Sequence, residues 1–175
     1  MKNEVQRYAL FLVFPRAETY RKLTFMDMTN IEIRFAEMAD LEAIRSLVVE
    51  LAIYEKEPDA VTATLKDYEE ALESGLIKVL VASMDSEIVG MALFYDTFST
   101  WRGKMLYLED FVVKERWRSQ GVGQVLFDHT VQYAKDTGCR LVKWQVLDWN
   151  VGAIKFYERA GATIEREWWN GKIVF

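Results

Sequence analysis

The sequence predicts an α/β fold, specifically an α+β mixed sheet with elements in the order β-α-α-β-β-β-α-β-α-β-β. Three observations lead there. Two apolar runs, Val79-Leu-Val-Ala82 and Ile88-Val-Gly-Met-Ala-Leu-Phe-Tyr95, are joined by the polar turn Asp85-Ser86 and read with Met105–Val113 as an antiparallel meander. A helical stretch, Val122–Thr137, then separates Met105–Val113 from a further apolar run, Arg140–Leu147, which is the pattern of a parallel crossover. No repeat, low-complexity run or linker appears after Ile31, so one domain spans residues 31–175 and residues 1–30 form an N-terminal extension.

Ile31-Glu-Ile-Arg-Phe35 alternates like a strand. Asp40 is placed to cap a helix whose apolar positions Leu41, Ile44, Leu47, Val48 and Leu51 recur at helical spacing, and Glu55-Lys-Glu-Pro58 ends it. Thr64 starts a second helix that stops near Gly75. After the meander, Gly138 closes the Val122–Thr137 helix. Asn150 caps the next helix, which Gly161 closes. Thr163–Trp169 and Lys172–Phe175 flank Asn170-Gly171, a strong hairpin signal that predicts two closing strands. The chain ends inside the second of these with no polar tail, which predicts a shortened C-terminus.

The 175 residues are 51% hydrophobic and 28% charged, a soluble globular balance. Six Trp, eight Tyr and ten Phe exceed what a core of this size needs, so some are expected to line a cleft. Residues 1–30 carry a net +2 against −5 for the whole chain, leaving −7 on the domain. That balance argues against nucleic acid as a main partner and is compatible with a cationic small molecule. Cys139 is the lone cysteine, so no intrachain disulfide can form, and a reducing cytoplasm fits. No apolar stretch approaches the roughly 18 residues of a membrane span. Tyr8-Ala-Leu-Phe-Leu-Val-Phe14 follows Lys2 and Arg7 and faintly has the form of a signal peptide, but Pro15-Arg16-Ala17-Glu18 makes a poor cleavage site. With Met26 and Met28 just upstream of the domain, residues 1–27 read as an accessory extension or as the product of an early start codon.

The most informative stretch is Arg118-Ser119-Gln120-Gly121-Val122-Gly123, a basic loop opening directly into a helix. Unpaired N–H groups and the positive dipole end of that helix, left bare by glycine, make a pyrophosphate cradle. It is not a dinucleotide fingerprint, because Leu126 occupies the third glycine position, and no Gly-Lys-Ser/Thr of a P-loop occurs. The remaining pattern, Arg/Gln-x-x-Gly-x-Gly, resembles the acetyl-CoA loop of the GNAT superfamily of N-acetyltransferases, with Arg118, Gly121 and Gly123 in its defined positions. The predicted element order, from Ile31 to Phe175, is also that of the GNAT fold. Tyr107-Leu-Glu-Asp110, Glu50-Leu-Ala-Ile-Tyr-Glu55, Trp101-Arg-Gly-Lys104, Trp149-Asn150 and Phe156-Tyr157 narrow the resemblance to the diamine or polyamine (spermidine/spermine) N-acetyltransferases.

The resemblance implies that acetyl-CoA is held by Phe111, Val112 and Val113, whose backbone pairs with the pantetheine arm, by Arg118, Ser119, Gln120, Gly121, Val122, Gly123 and Gln124, and by Asn150 and Ala153. From residue type alone, the side chains of Phe111, Val112 and Val113 belong to the core. Adjacent carboxylates on a regular strand point to opposite faces, so only one of Glu109 and Asp110 is expected to face a cleft. Without the resemblance, one is solvated and the other paired with Lys or Arg. With it, Glu109 faces the amine and removes its proton through water, since an amine of pKa about 10.4 arrives as ammonium. Tyr54 and Glu55 read as a core-edge aromatic and a solvated acid, or, by resemblance, as part of the amine site with Glu55 holding a distal ammonium. Trp101 is core or a cation–π face. Tyr157 is a half-buried packing residue or, by resemblance, the group that protonates the departing thiolate.

One position departs from the polyamine pattern. Ser99 stands two residues before Trp101, where those enzymes carry an acid, so a shorter diamine or a lysine-like amine becomes as credible as a long polyamine. His129 shares a helix with Leu126 and Tyr133 and reads as a packed or surface residue. Cys139 has no His or carboxylate pattern around it, and no metal-ligand spacing appears. The resemblance thus implies an acetyl-CoA-dependent N-acetyltransferase acting on a small primary amine by direct attack in a ternary complex, as a homodimer, without metal, nucleic acid or membrane. The residues alone leave open another amine (an amino acid, an aminoglycoside, a protein N-terminus) and a non-catalytic CoA-binding module.

Overall fold

The computed structural model describes residues 30–174; the 1–27 extension, its signal-like run and Phe175 lie outside them. The elements are β1 (Glu32–Phe35), α1 (Leu41–Tyr54), α2 (Leu65–Glu73), β2 (Lys78–Met84), β3 (Glu87–Ser99), β4 (Gly103–Val113), α3 (Val122–Asp136), β5 (Val142–Lys143) and α4 (Val151–Arg159). The five strands form one mixed sheet in the order β1-β2-β3-β4-β5. Neighbours from β1 to β4 are antiparallel, and β5 runs parallel to β4.

Each face of the sheet has its own core. On one, Ile44 and Leu47 of α1 pack against Val79, Val81, Met91, Leu93 and Val112, with Tyr68 and Leu72 of α2 against the same cluster. On the other, Val122, Leu126 and Phe127 of α3 and Tyr157 of α4 cover Leu80, Phe94, Leu106 and Leu108. Two buried faces explain why β2 and the first half of β3 read as continuous apolar runs rather than alternating ones.

The helix boundaries follow local chemistry. Thr64 caps α2 through a reciprocal pair: its Oγ1 accepts from the Asp67 N–H at 3.3 Å, and Asp67 Oδ2 accepts from the Thr64 N–H at 2.7 Å. Asn150 Oδ1 accepts from the Ala153 N–H at 3.2 Å and starts α4. Asp40 does not cap α1 as the sequence suggests. Its carboxylate turns back instead, accepting from the two terminal guanidinium nitrogens of Arg34 at 2.6 and 2.9 Å and from the Glu37 N–H at 2.8 Å. A two-pronged charge-assisted pair outweighs one cap bond, and Arg34 holds this carboxyl below the usual range.

The C-terminal third departs furthest from expectation. The predicted strand Arg140–Leu147 shortens to Val142–Lys143, paired only at Leu106↔Val142 and Tyr107↔Lys143. The predicted hairpin around Asn170-Gly171 is not formed: residues 162–174 contain no strand. An Asn-Gly pair specifies a turn but not a partner, and a two-stranded hairpin without a sheet to join is marginal in water. Trp168 and Trp169 are accordingly 70% and 96% exposed.

Candidate active site

Beyond Tyr107, β4 has no partner on its β5 side among the described residues. A row of backbone donors and acceptors is left along this edge, leading toward the glycine loop. Val113, at its end, accepts from Arg118 Nε at 2.9 Å.

The loop carries two positive-φ residues, Ser119 at 60° and Gly121 at 89°. Successive turns of this hand aim backbone N–H groups inward. Ser119 bears the strain of a left-handed non-glycine, roughly 1–2 kcal/mol. Gly121 is the N-cap of α3 and supplies no side-chain cap, so the first N–H groups of the helix stay free. Nothing within the fold demands glycine at 123: a Cβ there would make ordinary contacts, 3.7 Å from Val113 Cγ2 and 4.0 Å from Phe111 Cε1. The missing side chain instead leaves that helix start bare, which fits a diphosphate. Around this cradle, Gln120 Nε2 donates back to the Arg116 carbonyl at 2.6 Å, and Gln124 Nε2 donates to Asp128 at 2.9 Å. Val122 is core, its side chain 1% exposed. These three side chains are engaged within the fold, whereas the first N–H groups of α3 have no side-chain cap.

The β3–β4 register slips at Leu93/Phe94: Leu93 pairs with Asp110 but Phe94 pairs with Leu108, leaving Glu109 as the extra residue of a β-bulge. The bulge reverses the side-chain phase. Before it, Leu106 and Leu108 pack toward α3; after it, Phe111 and Val113 do, while Val112 turns to α1. Glu109 and Asp110 consequently share one face, and both line a recess of about 290 Å³ with Ala63, Asp67, Tyr68, Ala71, Ile77 and Leu93. The expectation that these two carboxylates oppose one another is thereby corrected, since strict alternation fails at an inserted residue. Glu109 is exposed and accepts from the Tyr95 hydroxyl at 3.1 Å. Asp110 is the more enclosed. Burial, with the charges of Glu109 and Glu55 nearby, pushes its carboxyl up to about 6.

On the opposite face Tyr157 is 6% exposed within a box of Phe111, Phe127, Trp144 and Phe156, the Trp144 ring centroid 4.7 Å away. Burial first, and the charge of Glu55 second, hold its phenol well above the usual range. A phenol raised in this way favours its protonated form, whose O–H is available as a donor. Glu55, just past the end of α1, is within electrostatic reach of both Asp110 and Tyr157, and burial raises its own pKa.

Tyr54 lies with Arg118, Trp149 and Asn150 rather than in the recess. Its hydroxyl donates to Asn150 Oδ1 at 3.1 Å, its ring lies 5.1 Å below the Arg118 guanidinium, and Trp149 is 5.7 Å away. Asn150 Oδ1 is thus shared by Tyr54 and the Ala153 N–H, which leaves its amide NH₂ free. Trp101 is not brought to this group. It is 85% exposed in the β3–β4 turn, about 20 Å of strand from Glu109. His129 is an exposed residue of α3 with Nδ1 2.8 Å from the Val125 carbonyl, and Cys139 is half-buried with Thr137 Oγ1 3.7 Å from its sulfur. The α2 wall of the recess, Asp67 and Tyr68, and the facing of Asp110 escape sequence reasoning, because no glycine or proline marks the bulge.

Residues 41–162 match the acetyltransferase (GNAT) family. The chain is 37% identical over 159 residues to a thialysine N-epsilon-acetyltransferase of Bos taurus, covering 82% of this chain and 91% of that protein. It is 33% identical over 147 residues to the spermidine/spermine N(1)-acetyltransferase-like protein 1 of Homo sapiens, covering 77% of this chain and 21% of that one. A crystal structure of an aminoglycoside acetyltransferase from an uncultured soil metagenomic sample, in complex with sisomicin, superposes with a TM-score of 0.72 at 20% identity, over 84% of this chain and 97% of the other. That likeness speaks for the fold; the sequence matches go further, and this chain is a member of the GNAT acetyltransferase family.

Proposed function

We propose that this enzyme transfers the acetyl group of acetyl-CoA to a primary amine of a small lysine-like or diamine substrate. One observation carries the reading: at Glu109–Asp110 the β4 bulge joins a carboxylate-lined recess to the open strand edge that runs to the bare start of α3. Acetyl-CoA, when bound, supplies the activated acetyl group. The backbone of Phe111, Val112 and Val113 would pair with its pantetheine arm, the N–H groups from Gly121 to Gly123 would take the diphosphate, and the Asn150 amide and the Ala153 end of α4 would hold the arm. The recess binds the amine as a cation and then draws off its proton. Asp110, with its carboxyl near 6, is close to the ideal for a general base at neutral pH, and Glu109 assists through water. The amine attacks directly within a ternary complex, and alignment of the two reactants contributes much of the rate. Tyr157 donates to the sulfur as charge develops there. With its phenol raised further above a thiol's roughly 8.5, full transfer in the ground state is uphill, so the contribution is a transition-state hydrogen bond.

Release of free CoA thiol across putrescine, spermidine, spermine, lysine, ornithine and thialysine tests the reading. Turnover of at least one of them is expected, and an inert enzyme across the panel contradicts it.

The shifted carboxyl gives a prediction of opposite sign for activity and stability. kcat/KM rises as pH passes through about 6, where Asp110 ionises, and Asp110→Asn removes that limb and lowers kcat/KM about 10²-fold or more. A pKa higher in the fold than in the unfolded chain means stability present at low pH and lost as pH rises through about 6. Asp110→Asn therefore raises the melting temperature at pH 8. A pH–rate profile and a thermal melt on the same variant check both signs.

A homodimer in a reducing cytoplasm completes the proposal. The dimer is supported by Phe98 and Trp101, 70% and 85% exposed at the β3–β4 turn. A solution mass near twice the 20.5 kDa of one chain is expected by light scattering, and a monomer at micromolar concentration contradicts it.

A further inference from the structure

Three separate segments meet across the gap where β4 and β5 part beyond Tyr107. On the β4 side stands Arg118, tied to the strand end by its Nε bond to the Val113 carbonyl. On the far side stand Trp149 and Asn150, at the start of α4. Tyr54, the last residue of α1, spans the two. Its ring lies against the Arg118 guanidinium, and its hydroxyl donates to Asn150 Oδ1. A second tie comes from the turn that follows. The Lys56 N–H donates to the Ile53 carbonyl at 3.1 Å and the Glu57 N–H to the Ala52 carbonyl at 2.9 Å. That pair of bonds ends a helix with a left-handed residue, here position 56, where glycine is the usual choice. Lysine stands there instead, at a φ of 66°, a conformation that is costly for a residue with a Cβ. In return its Nζ lies 5.0 Å from the centre of the Trp149 ring. Arg118, Tyr54, Trp149 and Lys56 thus form one series of contacts, cation to ring to ring to cation, across the gap.

We propose that Tyr54 and Lys56 form a gate over the acyl-CoA cleft: the end of α1 latches onto the start of α4, and the latch must open for coenzyme A to enter or leave. This rests on the acetyl-transfer reading above, which puts the arm of the coenzyme along the same edge. The latch engages side chains and leaves the start of α3 and the Asn150 NH₂ available, so it closes with or without a ligand. A barrier common to both states slows entry and exit alike, and with no differential affinity it leaves the equilibrium little changed. Tyr54 is thereby a positioning residue of the acyl-CoA side and not of the amine recess, whose lining does not include it.

Stopped-flow mixing of coenzyme A with wild type, Tyr54→Phe, Tyr54→Leu and Lys56→Gly, followed by tryptophan fluorescence, gives the entry and release rates. Phe keeps the ring and loses the bond to Asn150, whereas Leu loses both. Entry and release are expected to rise together, about 3- to 10-fold in Tyr54→Phe and about 10- to 100-fold in Tyr54→Leu, with Kd within about threefold of wild type. Lys56→Gly loses the tie to Trp149 but eases the backbone, so exchange speeds up about 2- to 5-fold with no fall in melting temperature. Unchanged rates in both Tyr54 variants overturn the gate. So does a release rate that rises while entry does not, the mark of a direct ligand contact. A raised KM for the amine at saturating acetyl-CoA, with coenzyme A rates unchanged, places Tyr54 in the amine site and overturns it likewise. A wild type that binds no coenzyme A overturns the acetyl-transfer reading, and the gate with it.

Discussion

Tyr157→Phe lowers kcat by about 10²–10³-fold and leaves acetyl-CoA affinity within about threefold of wild type. The ring stays because Phe fills the box formed by Phe111, Phe127, Trp144 and Phe156. Only the O–H is lost. In the proposed reaction that bond is made to sulfur as negative charge develops, so it would contribute to the transition state and little to the ground state, which separates kcat from KM. A buried phenol with its pKa forced upward cannot serve as a base near neutral pH, so no compensating role exists for it. Steady-state kinetics with calorimetric acetyl-CoA binding check the split. Equal activity would remove Tyr157 from the mechanism, and a matching loss of affinity would make it a packing residue.

Gly121→Asp weakens acetyl-CoA binding by about 10- to 100-fold without unfolding the protein. Three effects add against the ligand. A carboxylate at the N-cap takes for itself the N–H groups that a diphosphate needs. It neutralises the positive end of α3, and it repels the phosphates directly. For stability two effects nearly offset. The φ of 89° disfavours a side chain, although Asp tolerates this region better than most residues, and the new cap bond stabilises a helix start that has none. Thermal unfolding within a few degrees of wild type, together with a weaker Kd, is the expected pair of results. An unchanged Kd would mean that the diphosphate lies elsewhere.

Much of this site is legible in the sequence because its signals are local. The start of α3 is written in Gly121, the cap of α4 in Asn150, and the packing of Tyr157 on the sheet in Phe156-Tyr157, though not the Phe127 and Trp144 rings that enclose it. The recess is not legible, because it depends on one inserted residue. In sequence, Glu109 and Asp110 look like any adjacent pair on a strand, and only the slip of Phe94 onto Leu108 turns both to one side. The same limit explains Asp40, whose capping position is plain but whose competition with Arg34 needs the β1–α1 turn to close first. It also explains the hairpin that does not form, where Asn170-Gly171 describes a turn and says nothing of the edge that would receive it. Tyr54 is a milder case. Its neighbours in sequence suggest the amine site, while its hydroxyl bonds 96 positions away to Asn150.

In the proposed complex, coenzyme A lies along the unpaired edge of β4 with its diphosphate on the start of α3. Amide hydrogen exchange with and without coenzyme A measures this residue by residue. Slowed exchange is predicted at residues 111–113 and 121–124, with the β1–β2 amides unchanged. Slowing confined to other segments, or absent at saturating coenzyme A, would contradict the account.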